Sequence, residues 1–262
     1  MPARAKPSTS ANIDRIDAEL QYAGDREEIE RISDEVKRAL RLAELPEVYF
    51  EYVEVGRAQK KNFAQRFSTA LAQKVADALR PRFKGIMPLA DGTKPESFGR
   101  GAGGLKKLDV NYWPGPTGLG LSVSIKTLNF PDFRSGRYTK NMRRMDGELR
   151  AEASDLHRFS PYAVLAALIL LPLDAAHDAK EGRSSLKHAW DVFRRRAGRV
   201  SDKDDIALFE AIFIGVYSTG KEAGAVRFFD LATEFPDRGL PESPQSFSTV
   251  LSRIEAIHRA RH

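Results

Sequence analysis

Leu108-Asp-Val-Asn-Tyr-Trp-Pro-Gly-Pro-Thr-Gly-Leu-Gly-Leu-Ser-Val-Ser-Ile-Lys126 is the stretch that decides how this chain is read. Two alternating segments flank a turn rich in proline and glycine, which reads as two strands of a hairpin. Side chains alternate faces along a strand. Val123 and Ile125 therefore point one way, and Ser122, Ser124 and Lys126 the other. On the first strand, expected over residues 106–112, Leu108 and Val110 face the core side, with Lys107, Asp109 and Asn111 opposite. Asp109, Ser124 and Lys126 are thus expected on one polar face, a pairing of acid and amine that packing alone does not call for.

Working outward, apolar residues recur near a 3.6-residue period over 13–45, interrupted at Gly24-Asp25, and predict helices. Residues 48–55 alternate and read as a strand. Residues 57–79 carry Phe63, Phe67, Leu71, Val75 and Leu79 as an apolar stripe, with Lys60, Lys61, Arg66 and Lys74 on the other face. A Gly-, Pro- and Ser-rich stretch, 85–104, reads as a long loop. Beyond the hairpin, a strand over 119–128 leads to a basic loop over 130–138. A helix is expected over 139–157, a buried strand over 162–173 and a helix over 184–198. Residues 207–217 form an apolar strand or helix, and a helix over 246–259 ends the pattern. This order predicts an α/β chain: a mixed sheet with helices on both sides. The expected organisation is a disordered tail over 1–12, a helical segment over 13–45 and an α/β domain over 46–262.

Composition narrows the function classes. The 262 residues carry a formal net charge of +6, with a pI near 9.5 and a mean hydropathy of -0.43. A basic, polar chain of this kind suits a polyanionic partner. With no cysteine, disulfides and thiolate metal sites are excluded. The longest apolar run, 162–173, falls short of the roughly 20 residues that a bilayer span needs. No secretory pattern opens the chain, so a cytoplasmic protein is expected.

The acid and the amine have a chemical use. Phosphodiester cleavage needs a metal to polarise the phosphate and to lower the pKa of the attacking water. Mg²⁺ takes carboxylate oxygens and keeps several waters, so one or two carboxylates suffice. A lysine beside them offsets charge developing on the phosphate.

Asp109 followed by Ser124-Ile125-Lys126 resembles the PD-(D/E)xK nuclease superfamily, which includes many restriction endonucleases. The family pattern is an Asp, a spacer, then Asp or Glu, any residue, and Lys. The chain departs from it twice. Leu108 stands where the family often has proline, and Ser124 takes the position of the second acid. Some restriction enzymes resemble this departure, with the second carboxylate supplied by the following helix. Here that helix carries Asp146, Glu148, Glu152 and Asp155 beside a core stripe of Met145, Leu149, Ala153 and Leu156. The resemblance implies a restriction endonuclease-like core with added N-terminal helices, and a Mg²⁺-dependent DNA endonuclease, with Mn²⁺ as a substitute, of the kind used in restriction or defence. Asp109 and Glu148 would hold the metal, with Glu152 as the second choice. Lys126 would stabilise charge, and Ser124 would leave room at the site. Double-stranded DNA is the favoured partner, and a homodimer would suit double-strand cutting.

Arg134, Arg137, Lys140, Arg143, Arg144 and Arg150 crowd the segment after Lys126, opposed by Asp146 and Glu148. The first five are the expected phosphate contacts. The plain alternative is a solvated helix face with pairs such as Arg144–Glu148. Arg194–Arg196 and Arg199 read as cations complementing a helix C-terminus, and His157 and His188 as ordinary surface or half-buried histidines. Asp109 has a plain alternative too, as a turn cap or a partner of Lys126. The competing function is a catalytically inactive nuclease-fold module that binds nucleic acid or protein.

Overall fold

Val164–Pro172 forms a strand that is buried at all nine positions, and everything else is arranged around it. A strand covered on both faces reads as a continuous apolar run, with no alternation, and Val-Leu-Ala-Ala-Leu-Ile-Leu-Leu-Pro is such a run. The computed structural model describes residues 57–91, 97–101, 104–115, 118–179, 182–218, 226–235, 240–241 and 243–262. The tail expected over 1–12, the helices over 13–45 and the strand over 48–55 lie outside them.

In chain order the elements are α1 (Arg57–Leu79), β1 (Ser97–Gly101), β2 (Gly104–Leu108), β3 (Val110–Tyr112), β4 (Leu121–Thr127), α2 (Met142–Phe159), β5 (Val164–Pro172), α3 (Ser185–Phe193), β6 (Ala211–Tyr217), β7 (Val226–Asp230) and α4 (Phe247–Arg261). Five strands make one mixed sheet in the order β3-β4-β5-β6-β7. The central pairs β4–β5 and β5–β6 are parallel, and both edge pairs are antiparallel. Parallel neighbours need a crossover, and α2 and α3 supply the two. Both helices pack on one face of the sheet, against Leu165, Ala167, Ile169, Ile212 and Ile214. α1 and α4 cover the other face, where Phe67, Leu71 and Val75 meet Val123, Ile125, Ala166 and Leu168. The α/β class, with a mixed sheet between helices, agrees with the pattern read from the sequence.

Local chemistry explains the boundaries. Ser184 and Ser246 cap α3 and α4 by accepting the backbone N–H groups of Lys187 and Thr249. After α3 the chain tightens into a 3₁₀ turn, Arg194–Arg196, so the helix expected over 184–198 is shorter than its pattern. Residues 211–217 are strand. Their apolar run could not separate strand from helix, and parallel pairing with β5 settles it.

Two expectations are corrected. The loop expected over 85–104 contains β1, which pairs with β2 as a separate two-stranded sheet. Glycines at 99 and 101 hid it. A Cβ at Gly101 would lie 2.5 Å from the Asp155 carboxylate on α2, so close approach to the helix explains a glycine inside this strand. The single strand expected over 106–112 is broken at Asp109. Leu108 packs with the α2 side and Val110 with the α1 side, so the two do not share a face. The chain bends at Asp109, and the β1–β2 hairpin leaves the main sheet to lie on α2. Lys106 Nζ there meets Asp155 at 3.0 Å.

Candidate active site

The bend at Asp109 strips β4 of a backbone partner. β3 pairs with β4 only as far as Val110 opposite Val123. The Ile125 N–H, beyond that point, would lack an acceptor on this side. The Asp109 carboxylate takes the place of the missing strand and accepts the Ile125 N–H at 2.7 Å. A buried amide left unmet would cost on the order of 1–3 kcal/mol, so this acid has a structural task whatever its chemistry.

Ser124 is the neighbouring residue of β4. Its side chain is turned to the α2 face and buried, and its hydroxyl donates to Glu152 Oε1. The other oxygen of Glu152 lies 3.6 Å from Lys126 Nζ. Glu152 and Lys126 retain 16% and 21% of their side-chain exposure, enough for both to be reached from solvent. Asp109 and Glu152 therefore bind at consecutive residues of one strand, with Lys126 two residues beyond Ser124. Alternation along β4 accounts for this: Val123 and Ile125 enter the α1-side core, leaving Ser124 and Lys126 to meet α2.

Glu148, the first choice for the second carboxylate, is exposed and paired with Arg144 one helical turn earlier. Glu152, the second choice, is the one that reaches β4. The amphipathic stripe fixed the inward side of α2 and left the two acids flanking it equivalent. Only the axial position of the helix over the strands separates them.

Asp146, on the same helix, makes a two-point contact with Arg196 at 2.6 and 2.8 Å. That bond holds the Arg196 guanidinium above its ordinary pKa. It ties α2 to the end of α3 and takes Arg196 out of the basic cluster.

At the end of β4, from Thr127 onward, the surface opens into a cleft of about 880 Å³ whose lining does not include Lys126 or Glu152. Thr127, Leu128 and Asn129 continue from β4 along its wall. Leu128 N–H bonds to Leu170 O at 2.8 Å, and Asn129 accepts the Tyr217 hydroxyl at 3.0 Å, so this wall is fixed to the sheet. The start of α1 contributes Lys60 and Lys61, and the approach to α2 contributes Lys140 and Arg144. Among the described residues four cations and one acid, Asp132, line the cleft; Lys140 pairs with that acid and Arg144 with Glu148. Neither helix has an acid in its first turn, although the positive end of a helix favours one. Two helix N-termini rich in cations at one cleft favour an anion there.

Of the five expected phosphate contacts, Lys140 and Arg144 line this cleft. Arg134 and Arg143 are exposed outside its lining, and Arg137 donates to the Arg183 carbonyl across the loop. Lys60 and Lys61 were legible as a polar helix face but not as part of this site. The missing acid in their helical turn was the available signal.

The side chains that reach β4 at Ser124 and Ile125, the Glu152 and Asp109 carboxylates, are oxygen donors of the type a hard cation takes. No cluster of three or more metal-ligating side chains occurs among the described residues. A dedicated protein cage is thus not present there, whereas one or two carboxylates completed by water and phosphate are what Mg²⁺ uses.

A second polar cluster lies at the opposite end of the sheet. Glu210, fully buried just before β6, accepts Arg199 at 2.7 Å and the Leu165 N–H at 2.7 Å. Arg261 approaches at 3.3 Å and His157 Nε2 at 3.5 Å. His157 Nδ1 lies 3.0 Å from the Ile206 carbonyl. Burial alone would push the Glu210 carboxyl up, yet the His157, Leu165 and Arg199 contacts together bring it below the ordinary value. Arg199 is expected among the cations complementing a helix C-terminus and His157 as an ordinary surface or half-buried histidine; both are buried.

No protein-family model, curated protein or solved structure matches this chain. No helix among the described residues is long and apolar enough to cross a membrane.

Proposed function

We propose that the protein is a Mg²⁺-dependent DNA endonuclease with a restriction endonuclease-like site, in which Glu152 supplies the second carboxylate. The observation that carries this reading is that Glu152 meets Ser124 and Lys126 while the Asp109 carboxylate holds the backbone of Ile125 between them. The serine in the motif's acid position is compensated from α2, and the hydroxyl is short enough to admit the incoming glutamate. Asp109 and Glu152 would hold the ion. Bound Mg²⁺ supplies polarisation of the phosphate and an acidified water. Lys126 donates to a phosphate oxygen and offsets charge growing on it. Lys60, Lys61, Lys140 and Arg144 hold the flanking backbone by charge, a contact weakened by salt.

Nicking of supercoiled plasmid tests the reading. Asp109→Asn keeps an acceptor for the Ile125 N–H while removing the charge. Asp109→Asn, Glu152→Gln and Lys126→Met are each expected to lower the Mg²⁺-dependent rate by about 100-fold or more, the scale of losing a main electrostatic contributor. Glu148→Gln leaves it near wild type. Wild-type protein that cuts nothing with Mg²⁺ or Mn²⁺, or variants that cut as well as it does, would end the proposal.

One observation favours a second reading. Glu152 is already engaged by Ser124 and Lys126, as in a nuclease-fold module that binds nucleic acid without cutting it. That module would bind DNA equally with and without divalent ions, and calorimetry would detect no Mg²⁺ site.

A further inference from the structure

The loop over 130–136 places two aromatic rings at the basic cleft in different ways. Phe130 is half-buried. Its ring meets Phe63 edge-on at 5.3 Å, and Lys60 Nζ stands 5.6 Å from its centre. Phe133 lines the same cleft but is 79% exposed. A single exposed ring is ordinary on a protein surface, but this one stands in a cleft lined by cations, where a ring face can stack on a base.

The loop that presents Phe133 is well organised. Asp132 Oδ1 accepts the backbone N–H groups of Arg134 and Ser135 at 3.1 and 3.2 Å, and its other oxygen pairs with Lys140 at 2.9 Å. The Asp132 N–H bonds to Arg137 O, and Gly136 N–H to Asp132 O, both at 2.8 Å. Lys140, with the Ser135 and Arg134 amides, holds the Asp132 carboxyl down at about 2, so this brace persists at any ordinary pH. The ring is held out to solvent by a fixed turn.

Charge selects the occupant. With Asp132 paired to Lys140 and Glu148 to Arg144, Lys60 and Lys61 still leave the described lining net positive, which repels a basic protein segment and draws a polyanion. Cations tracking a backbone, with an aromatic ring beside them, form the arrangement that binds single-stranded nucleic acid, each base stacking on a ring face. A duplex buries its base faces in the stack, and a base must leave the stack before a ring can reach it.

We infer that the cleft takes a single-stranded segment of nucleic acid, with Phe133 stacking on one of its bases and Lys60, Lys61, Lys140 and Arg144 following the phosphates. The inference rests on the nucleic-acid part of the proposed function and not on cleavage. A nuclease using it would act on strands that are splayed, gapped or displaced.

Fluorescence anisotropy in EDTA, with a labelled single-stranded oligonucleotide and its duplex as probes, tests this apart from catalysis. Phe133→Ala is expected to weaken single-strand binding about tenfold, the scale of one lost stacking contact, with duplex binding unchanged. Against an abasic strand, wild type and Phe133→Ala should bind alike. Phe133→Trp restores the affinity for the normal strand. Equal single-strand affinities for wild type and Phe133→Ala overturn the inference, as does an equal loss on both probes or no binding of either. A protein that binds in this way but cuts neither plasmid nor splayed or single-stranded DNA with Mg²⁺ or Mn²⁺ retains the inference and loses the endonuclease reading.

Discussion

Glu152 and Glu210 are both acids packed beside the central sheet, and α2 reaches both of their clusters, yet they are built on opposite principles. Glu210 sits at the N-terminal end of the parallel strands with no side-chain exposure, surrounded by Arg199, Arg261, His157 and the Leu165 amide. Glu152 lies over the middle of β4, partly exposed, with a hydroxyl and one lysine. A charge taken fully out of water is tolerated only when paired and hydrogen-bonded on all sides. The first cluster meets that demand. Both oxygens of Glu210 are engaged, one by Arg199 and Arg261 and the other by the Leu165 amide and His157, so the acid itself has nothing left for a ligand. The second is under less demand and opens beside a cleft. Full satisfaction marks the structural acid, and partial satisfaction next to solvent marks the acid available for chemistry.

The largest expected effect tests the sealed side. Glu210→Ala strands Arg199 in the interior and should cost roughly 3–5 kcal/mol, the usual result of breaking a buried pair from one side. Urea denaturation reads it directly. A loss under about 1 kcal/mol, the range of exposed pairs, would mean that the cluster is hydrated and the contrast false.

Next comes the open side. Glu152→Gln removes a charge but keeps an acceptor for Ser124, and should change stability by less than about 1 kcal/mol. A much larger loss would make Glu152 a structural acid like Glu210 and would weaken the case for its catalytic role.

The smallest effect is the pH dependence. The folded state lowers the Glu210 carboxyl below its ordinary value. Its contribution is therefore fully present above the unfolded carboxylate pKa, about 4.3, and is lost as pH falls through the lower folded value. Urea midpoints should decline across that acid window in wild type and more shallowly in Glu210→Gln. An equal slope in the two would assign the acid sensitivity to other groups.

How much of this was legible follows from where each signal resides. The α1 stripe from Phe63 to Leu79 repeats locally, and the helix lies where it predicts. The unbroken apolar run at 164–172 gave a buried strand for the same reason. β7, by contrast, is a five-residue strand, Val-Arg-Phe-Phe-Asp. It is too short to announce itself and is defined by its pairing with β6. β1 was concealed by glycines that make sense only in the fold, Gly99 against Leu108 and Trp113 and Gly101 against Asp155. At the site, the shared polar face of Ser124 and Lys126 was readable from alternation. The bend that puts Leu108 and Val110 on opposite sides was not, because it depends on a tertiary bond from Asp109 to Ile125. The Arg199–Glu210 pair is tertiary: Arg199 reads from its neighbours as a cation complementing a helix C-terminus, and nothing local marks Glu210 as its partner.

That bond from Asp109 also sets what the position can tolerate. Its carboxylate completes the edge of β4, a task that the amide carbonyl of asparagine would perform as well. Variants at this position selected for folding alone should retain Asp and Asn, and the same pool selected for activity should retain Asp alone. The gap between the two selections would measure how much of this residue belongs to architecture and how much to chemistry.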